Sequence, residues 1–428
     1  MADKVIGVAL LGLGTVGTGA YKIIQQQKEE MPQKLNATIE VRHILVRNLE
    51  KAAKKVEDPS VLTNDWNVIL NDPEVDIVIE VMGGLEPAGT YITQALEKGI
   101  SVVTANKDLI AERMDELVDL AQNHKADLLF EAAVAGGIPI IAPLKHSLSA
   151  NFISEIMGIV NGSTNFILSK MTQERMGFKE ALALATELGY AEADPTADIE
   201  GLDAGRKVAI MASLAFHAKV TFQDVYTEGI TKLTQNEIAY ADEFGYVIKL
   251  IGMARCNGRN VEARVHPMLI PKSHPLAAVS DSYNAVFVHG DAVDDVMFYG
   301  RGAGEMPTAS AIMGDVFDIA RDLVSGSEGT TRINAYKDRP VRPIEEDKSK
   351  FFVRMEVEDK PGVLAMVAGV FGCNGVSIRQ MVQKEGSGDN AEIVIITDTV
   401  RERHLQDAFA SLKTMSSVRT TPVMIRVY

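Results

Sequence analysis

Short apolar runs alternate with amphipathic stretches along the first 130 residues. Val5–Leu11 is apolar at every position, which is typical of a strand buried on both faces of a parallel sheet. Further strand candidates lie at 39–46, 76–82, 101–104 and 127–131. Apolar residues at helical spacing predict helices from residue 16 onward, at 87–98 and at 108–124. Strands that alternate with helices predict a doubly wound α/β sheet.

The pattern changes between residues 151 and 300. Strand-like runs occur at 153–160, 260–269 and 284–289, and helical spacing occurs at 178–189, 202–217 and 235–245. Because strands and helices no longer alternate regularly, this part predicts an α+β unit. A glycine-rich stretch at 300–304 then precedes helical spacing at 307–324.

The last hundred residues predict a linker and a small domain. Residues 325–349 are polar and rich in Ser, Gly, Arg, Asp and Pro, which is typical of a linker. Residues 351–428 predict strand, helix, strand, strand, helix, strand, the split βαβ order of a ferredoxin-like domain. We therefore divide the chain into a doubly wound domain over 1–130, completed by a helix at about 305–325, an α+β catalytic and dimerisation domain over 131–304, the linker, and a C-terminal domain over 350–428.

Composition narrows the class of protein. At roughly 100–200 residues per domain, 428 residues suggest two or three domains. The formal net charge of -15 argues against binding to nucleic acid or to anionic membranes, which requires basic patches. Two cysteines provide no disulfide framework. The longest apolar run, Val5–Gly14, is too short to span a bilayer, which takes about 20 residues. It resembles a signal peptide less than a buried strand, so we expect a cytoplasmic protein.

A glycine motif follows the first strand at once. Gly12, Leu13, Gly14, Thr15, Val16 and Gly17 form a GxGxxG sequence between the strand and an amphipathic helix. In this context the first glycine makes a tight turn, the second lets the backbone approach a pyrophosphate, and the third allows close helix packing. The motif predicts a dinucleotide site of the Rossmann type; the alternative is a glycine-rich turn that binds nothing.

The residue after the second strand bears on which nicotinamide cofactor binds. NAD sites place a carboxylate there to bind the ribose hydroxyls. This strand instead ends at Arg47, which could contact a 2′-phosphate with help from Lys51 or Lys54. We therefore expect NADP(H) to be preferred and NAD(H) to be tolerated. The alternative is a solvated arginine at the start of a basic helix.

An acidic segment with a lysine lies at 185–207. Glu192, Asp194 and Asp198 precede a predicted helix on which Asp203 and Lys207 are spaced i, i+4 and so share a face. A surface ion pair is the commoner explanation for such a pair. The functional interpretation is that Lys207 donates and accepts a proton, while the carboxylates bind a substrate ammonium.

This segment resembles the homoserine dehydrogenase pattern. The matching positions include Gly189, Asp194-Pro195, Asp198, Gly201, Asp203 and Lys207. The resemblance continues through 12–17, 104–107, 131–139, 161–165 and 302–304, and so covers nearly all of residues 1–325. One departure is Arg301, where the pattern has proline or another small turn residue; it leaves the detail of that loop open. The resemblance implies a reversible, NAD(P)H-dependent reduction of L-aspartate 4-semialdehyde to L-homoserine.

The resemblance also implies roles for single residues. Lys207 would be the acid/base, assisted by Lys107. Substrate would bind to Glu192 and Asp203, with Asp198 organising the pocket. The cofactor would contact the glycine motif, Arg47, Thr104, Lys107, Gly189 and Gly304. A monovalent cation, sodium or potassium, would bind backbone carbonyls of Glu131, Val134, Gly136 and Ile138, since hard cations take oxygen ligands. The alternative for that last segment is a structural glycine-rich turn.

Residues 351–428 resemble an ACT domain. The turn Asp359–Leu364 lies where such domains bind amino acids, and Gly362 would leave room for a small ligand. The resemblance implies an amino-acid effector, with threonine as the favoured candidate, and a homodimer or homotetramer. The alternative is a dimerisation module without a ligand. Since the catalytic pattern ends near residue 325, we expect a chain ending near 345 to stay active and to lose regulation.

Two other functions compete with this one. A non-catalytic amino-acid sensor with a nucleotide fold would be expected to lack Lys107 or Lys207, and both are present. An ACT-bearing dehydrogenase of hydroxy acids would use a His–Glu or His–Asp pair. The histidines at 146, 217, 266 and 289 lie in no such motif.

Overall fold

The computed structural model describes residues 4–327, 329, 337–386 and 388–428. A parallel sheet forms the N-terminal part, with strands β1 (Lys4–Leu11), β2 (Ala37–Leu45), β3 (Leu62–Thr63), β4 (Ile77–Glu80), β5 (Ser101–Thr104) and β6 (Leu128–Leu129). Their order in the sheet is β3-β2-β1-β4-β5-β6. The predicted Rossmann-like α/β architecture is therefore confirmed. The strand predicted at 127–131 is shorter, because the chain turns into a 3-10 helix at Glu131.

Fifteen α-helices occur in the described residues. They are α1 (Thr15–Gln27), α2 (Met31–Leu35), α3 (Leu49–Ala53), α4 (Trp66–Leu70), α5 (Ala88–Glu97), α6 (Lys107–Asn123), α7 (Ile141–Lys145), α8 (Gly162–Gln173), α9 (Phe178–Glu187), α10 (Thr196–Ile199), α11 (Leu202–Phe216), α12 (Gln235–Glu243), α13 (Glu305–Ser325), α14 (Val363–Cys373) and α15 (Glu402–Leu412). No helix in the described ranges is long and apolar enough to cross a membrane.

Helix α13 returns from the second half of the chain to the first sheet. Its buried residues Ile312, Val316 and Ile319 share one core with Ile23 and Ile24 of α1. The two helices approach closely because Gly19 lacks a side chain: a Cβ there would lie 2.7 Å from the carbonyl oxygen of Glu305. This packing brings the start of α13 next to the glycine motif.

A second, mixed sheet contains eleven strands. They are β7 (Ile153–Ile159), β8 (Tyr226–Thr227), β9 (Tyr246–Cys256), β10 (Val261–Pro271), β11 (Tyr283–Gly290), β12 (Asp294–Arg301), β13 (Lys348–Glu358), β14 (Ile378–Glu385), β15 (Asn390–Thr397), β16 (Val400–Arg401) and β17 (Val423–Val427). The main path runs β12-β11-β7-β9-β10-β17-β13-β15-β14. Helix α11 packs against β9 and β10. Sequence analysis did not identify β9 or β12.

The C-terminal strands and helices follow the predicted split βαβ order, so the ferredoxin-like fold is also confirmed. This domain is joined edge to edge with the rest of the sheet, because β17 pairs in parallel with β10 at Met268–Arg426 and Leu269–Val427. Buried ion pairs cross the same junction. They include Arg264–Asp347 at 2.6 Å and Arg426–Glu228 at 2.9 Å.

The predicted linker at 325–349 differs from the structure. Residues 328 and 330–336 lie outside the described residues. Residues 337–349 pack on β10, where Val341 forms a β-bridge with Val261 and Asp347 is buried. The polar composition suggested a free tether, but several of these polar groups form contacts instead. The expectation that a chain ending near 345 stays active remains a prediction, and such a chain would lack β17, the neighbour of β10.

Candidate active site

A cleft of about 520 Å³ opens between the two halves of the molecule. One wall contains Val16 at the start of α1 and Lys107 at the start of α6. The other walls come from the starts of α8 and α11, the end of β12 and the loop that leads into α13. In parallel α/β sheets this edge, at the carboxyl ends of the strands, is the usual ligand-binding site.

The glycine motif forms a backbone cradle at one end of the cleft. Gly12, with φ of +108°, donates its N–H to Leu45 of β2 at 3.0 Å. A Cβ on Gly17 would lie 2.2 Å from the carbonyl oxygen of Gly12, so only glycine fits. Gly14 faces open space and caps α1, whose first turn has no acidic residue and no side-chain cap. The free N–H groups at this helix start fit an anionic pyrophosphate.

Two basic side chains lie near the cradle. Arg47 lies two residues after the end of β2, and its exposed side chain is accessible to a ligand phosphate. Lys55 was missed by the sequence analysis, and its Nζ donates to the carbonyl oxygen of Leu13 at 2.9 Å. No described hydrogen bond links the side chains of Lys51 or Lys54 to the motif. The direction in which each lysine points depends on α3 and the turn after it, and this geometry brings Lys55 to the glycine motif.

Three charged residues meet in the cleft. Lys207 Nζ donates to Asp203 Oδ2 at 2.6 Å and to the carbonyl oxygen of Val160 at 2.7 Å. Lys107 Nζ lies 3.4 Å from the other oxygen, Oδ1, of Asp203. The predicted i, i+4 pair on α11 is therefore present but is not a surface pair, since both side chains are nearly nine-tenths buried. Lys107 reaches it because Asn106 caps α6 at the end of β5.

Burial, hydrogen bonds and neighbouring charges shift the pKa values of Asp198 and Asp203. Burial alone would raise the pKa of Asp203, but Lys207 and Lys107 lower it to about 2. Asp198 has a raised pKa, because it is buried and lies near the negative charge of Asp203. Asn161 joins the two carboxylates: its Nδ2 donates to Asp198 Oδ1 at 2.6 Å and to Asp203 Oδ2 at 3.0 Å. Asn161 had no assigned role in the sequence analysis.

The cleft brings together eight of the residues predicted for the site. Predicted residues that line it are Val16, Lys107, Gly136, Gly189, Asp198, Asp203, Lys207 and Gly304. Residues that line it without having been assigned a role include Asn161, Asn284 and Arg301. Arg301 hydrogen-bonds Ser282 Oγ at 3.2 Å and lies 4.2 Å from the ring centre of Tyr283, so aromatic stacking holds it in place of the expected small turn residue.

Glu192 and Thr104 are among the predicted site residues that do not line the cleft. Glu192 is exposed in the loop before α10 and forms no described hydrogen bond. Thr104 is fully buried, and its hydroxyl donates to Glu80 Oε2 at 2.6 Å and accepts from the N–H of Asn106 at 2.9 Å. Its hydroxyl is thus committed to holding the β4 and β5 ends together. Sequence spacing could not reveal this use of Thr104.

The segment 131–138 forms a buried bend behind the cleft. The carboxylate of Glu131 accepts three backbone N–H groups from 140–142 at 2.6 to 2.8 Å, which commits it to the start of α7. Ala135 and Gly136 have φ of +56° and +55°. No group of three His, Cys, Asp or Glu side chains in the described residues could hold a metal ion. A cation here would bind neutral carbonyl oxygens, which fits a monovalent ion better than a divalent one.

The C-terminal domain presents the turn predicted for an effector. Gly362, with φ of +90°, caps α14 without any side-chain cap, and a Cβ there would meet nothing within 4 Å. The open space and the free N–H groups of the helix start fit a small carboxylate. This turn lies in a different domain from the cleft.

Comparison with known proteins gives three family matches. Residues 12–131 match the family model described as homoserine dehydrogenase, NAD binding domain, and residues 139–317 match the one described as homoserine dehydrogenase. Residues 351–415 match the ACT domain. Together these matches cover most of the chain.

Individual relatives agree with the family matches. A homoserine dehydrogenase of Synechocystis sp. is 46% identical over 431 residues, with 99% of each chain covered. The crystal structure of a homoserine dehydrogenase from Thiobacillus denitrificans has a TM-score of 0.94 at 41% identity and covers 99% of this chain and 98% of its own. A hyperthermophilic archaeal homoserine dehydrogenase mutant, solved in complex with NADPH, has a TM-score of 0.64 at 27% identity and covers 75% of this chain and 98% of its own.

Proposed function

The chain belongs to the homoserine dehydrogenase family, and from that premise we propose which of its own residues perform the reaction. The enzyme is an NAD(P)-dependent oxidoreductase that acts on a CH–OH group and interconverts L-aspartate 4-semialdehyde and L-homoserine. This reaction serves the synthesis of threonine, methionine and isoleucine. The Lys107–Asp203–Lys207 cluster, placed in the cleft beside the glycine cradle, carries the residue assignment.

Lys207 serves as the acid/base. A bound nicotinamide cofactor supplies the hydride that reduces the aldehyde carbon. An ammonium has three N–H donors, and Lys207 gives two of them to Asp203 and the Val160 carbonyl. The third remains for the substrate oxygen, which receives a proton as the alcohol forms. Lys107 adds positive charge near the developing alkoxide, an effect of the oxyanion-hole type.

The carboxylates divide into an organising and a binding group. Asp203 has both oxygens engaged by lysines and by Asn161, so it orients Lys207. Asp198 lines the cleft and accepts hydrogen bonds from Asn161 and Ser163, and we assign it to the substrate ammonium. Glu192 joins this group only if its exposed loop folds over bound substrate. This division differs from the family-based expectation, in which Asp203 binds substrate and Asp198 organises the pocket.

The cofactor is assigned as NADP(H), with NAD(H) tolerated. Gly12–Gly17 would bind the pyrophosphate at the start of α1, and the exposed Arg47 would contact the 2′-phosphate. Gly189 and Gly304 line the cleft and leave room for the nicotinamide end. The NADPH complex of the archaeal relative supports this choice.

A monovalent cation, sodium or potassium, is assigned to the bend at 131–138. The carbonyl oxygens of Glu131, Val134, Gly136 and Ile138 would be its ligands. The buried position, the left-handed backbone and the commitment of the Glu131 side chain to α7 support a site of neutral oxygens. Cofactor affinity and thermal stability measured in sodium, potassium and choline chlorides at equal ionic strength test this assignment.

The C-terminal domain is assigned to regulation by a pathway amino acid, most directly threonine. A connected path of contacts leads from it to the cleft. Arg426 of β17 pairs with Glu228 at 2.9 Å, and Ile230 in the same loop donates its N–H to Ile199 of α10 at 2.8 Å. Helix α10 carries Asp198. A ligand that favours one arrangement of this junction would therefore change the substrate pocket, as allostery requires.

One assay tests the proposed function as a whole. Homoserine-dependent reduction of NADP and of NAD is measured separately, with and without threonine. We expect turnover with both cofactors, a lower KM for NADP, and inhibition by threonine. Absence of homoserine-dependent reduction with either cofactor would remove the assignment. Indifference to threonine, isoleucine and methionine at millimolar concentrations would instead make the C-terminal domain an assembly module, in a homodimer or homotetramer.

A further inference from the structure

One buried side chain in the cleft has no hydrogen-bond partner. Asn284 lies at the start of β11 and is 1% exposed, yet its Oδ1 is buried without a donor. No protein acceptor is described for its Nδ2 either. Seven buried side-chain atoms lack partners in the described residues, and Asn284 is the one among them that lines the cleft.

An unpaired buried carbonyl destabilises the free protein. Most buried polar groups are hydrogen-bonded, and a buried group without a partner lowers the free energy of unfolding by roughly 1–3 kcal/mol. Asn165, on the neighbouring helix α8, shows the ordinary structural use of a buried amide. It donates to the carbonyl oxygens of Val279 and Tyr283 and accepts from Lys249. Asn284 makes none of these bonds, so a structural role does not explain it.

The surroundings of Asn284 point to the reaction centre. A Cβ on Gly302 would lie 2.0 Å from Nδ2, and a Cβ on Gly162 would lie 3.5 Å from Oδ1. Gly302 therefore leaves the room that the amide occupies, and Gly162 lies within contact range of its oxygen. Gly162 directly follows Asn161, whose amide holds Asp198 and Asp203. The Asn284 amide thus lines the same cleft as the residues assigned to bind and protonate substrate.

We propose that Asn284 is a further binding residue of this enzyme, and that its Oδ1 accepts a hydrogen bond from an N–H group of the bound ligand. The proposal rests on the dehydrogenase function above and adds a residue to its site. Two ligand groups have this chemistry: the carboxamide of the nicotinamide ring and the ammonium of the amino-acid substrate. Either would satisfy an acceptor that the protein itself leaves open, so binding recovers the stability that the free enzyme lacks.

The first measurement separates binding from folding. Asn284→Ala and Asn284→Leu remove the unpaired carbonyl, so we expect thermal midpoints of the free enzyme that are unchanged or higher. Asn165→Ala is the matched control, and its midpoint should fall because three hydrogen bonds are lost. A midpoint of Asn284→Ala that falls as far as that of Asn165→Ala would make Asn284 structural and overturn the proposal.

The second measurement identifies the donor with two ligand analogues. The 3-acetylpyridine analogue of NADP has a methyl group in place of the carboxamide nitrogen, and 4-hydroxybutanoate lacks the ammonium of homoserine. Affinities of the wild type and of Asn284→Ala are compared by equilibrium binding for the cofactor pair and by kcat/KM for the substrate pair. If the carboxamide is the donor, the variant binds NADP roughly tenfold or more weakly but binds the analogue as the wild type does. If the ammonium is the donor, this difference appears in the substrate pair.

Equal losses for ligand and analogue in both pairs, or no loss in either, would overturn the proposal. The outcome is distinct from a failure of the proposed function. If wild-type enzyme does not oxidise homoserine, the equilibrium binding of the two cofactors still reports on Asn284. In that case a difference confined to NADP retains Asn284 as a cofactor contact, and its absence rejects it.

Discussion

One carboxylate connects the two lysines that we propose to act in catalysis. Asp203 accepts Lys207 on one oxygen and Lys107 on the other, although the two lysines come from different domains. The low pKa of Asp203 keeps it ionised at any pH at which the enzyme works. A permanent negative charge at this point holds Lys207 by its ammonium without taking its proton. Burial is the main cause of the raised pKa of Asp198, and the charge of Asp203 raises it further.

Lys207→Ala tests the acid/base role. We expect turnover to fall by roughly 100-fold or more, the usual effect of losing a general acid/base, while NADPH affinity stays near that of the wild type. Turnover is measured with homoserine and NADP, and affinity by NADPH fluorescence. The control is Lys34→Ala, which breaks the i, i+4 pair with Glu30 on α2, outside the cleft, and should keep full turnover. A Lys207→Ala enzyme with normal turnover would remove Lys207 from the mechanism.

Arg47→Ala tests the choice of cofactor. We expect the KM for NADP to rise roughly tenfold or more and the KM for NAD to change little, because only NADP carries a 2′-phosphate. Lys55→Ala is the matched comparison: its ammonium contacts the glycine motif that both cofactors share, so both KM values should rise together. Equal effects of Arg47→Ala on the two cofactors would show that Arg47 does not contact the 2′-phosphate.

The ends of strands and the starts of helices position the residues of the cleft. Strands β4 and β5 stop at Glu80 and Thr104, whose side chains bind each other and fix where α6 begins. Helix α1 begins at the glycine motif, and α13 packs against it from the far end of the catalytic chain. Lys107 and Asp203 therefore lie within two residues of a helix start, and Lys207 lies about one turn further along α11. Helix starts are rigid and have free N–H groups, which suits both anion binding and the placement of side chains.

A pair of glycine variants tests the cradle at the start of α1. Gly14→Ala puts a methyl group into open space where the pyrophosphate would lie, so we expect an unchanged thermal midpoint and NADPH affinity lower by on the order of tenfold. Gly17→Ala puts a methyl group against the Gly12 carbonyl, so it should lower the free energy of unfolding by about 1–3 kcal/mol. Unchanged NADPH affinity in Gly14→Ala would place the pyrophosphate elsewhere.

The whole molecule contains a sheet that two domains share. Strand β17 is the C-terminal strand of the ACT domain and also the neighbour of β10. Buried pairs such as Arg264–Asp347 strengthen this junction, since breaking one would leave a buried charge unpaired. The ACT domain is thus connected through β17 to β10, a strand that packs on α11, the helix of Lys207. A truncated chain is a poor test of regulation for the same reason, and a point variant is better.

Gly362→Asp tests regulation without disturbing the junction. We expect unchanged turnover and at least a roughly tenfold higher threonine concentration for half inhibition, because the new charge occupies the place of an effector carboxylate. The control is Gly388→Asp, in the hairpin before β15, where the glycine also has positive φ and open space. It carries the same backbone strain and charge, and it should remain fully sensitive. Loss of sensitivity in both variants would point to strain in the domain rather than to an effector site.

The sequence by itself determined the elements and the family. Apolar periodicity placed the strands and helices that it identified within a few residues of their observed bounds, since burial of one face or two is a local property of the chain. The glycine motif, the Asp203–Lys207 spacing and the ACT turn were visible for the same reason: each lies within a few consecutive residues. The resemblance to homoserine dehydrogenases then identified the reaction, which no single motif could have identified.

The tertiary structure decided which distant groups meet. Lys107 and Asp203 are nearly a hundred residues apart in the sequence, so only the resemblance suggested that they share a site. Lys55 rather than Lys51 or Lys54 reaches the glycine motif, and the hydroxyl of Thr104 turns away to Glu80. The pairing of β10 with β17 was not predicted, because the polar residues at 337–349 suggested a flexible linker between the domains. Contacts of this kind depend on long-range packing, which fixes the partner of a side chain only after the whole chain has folded.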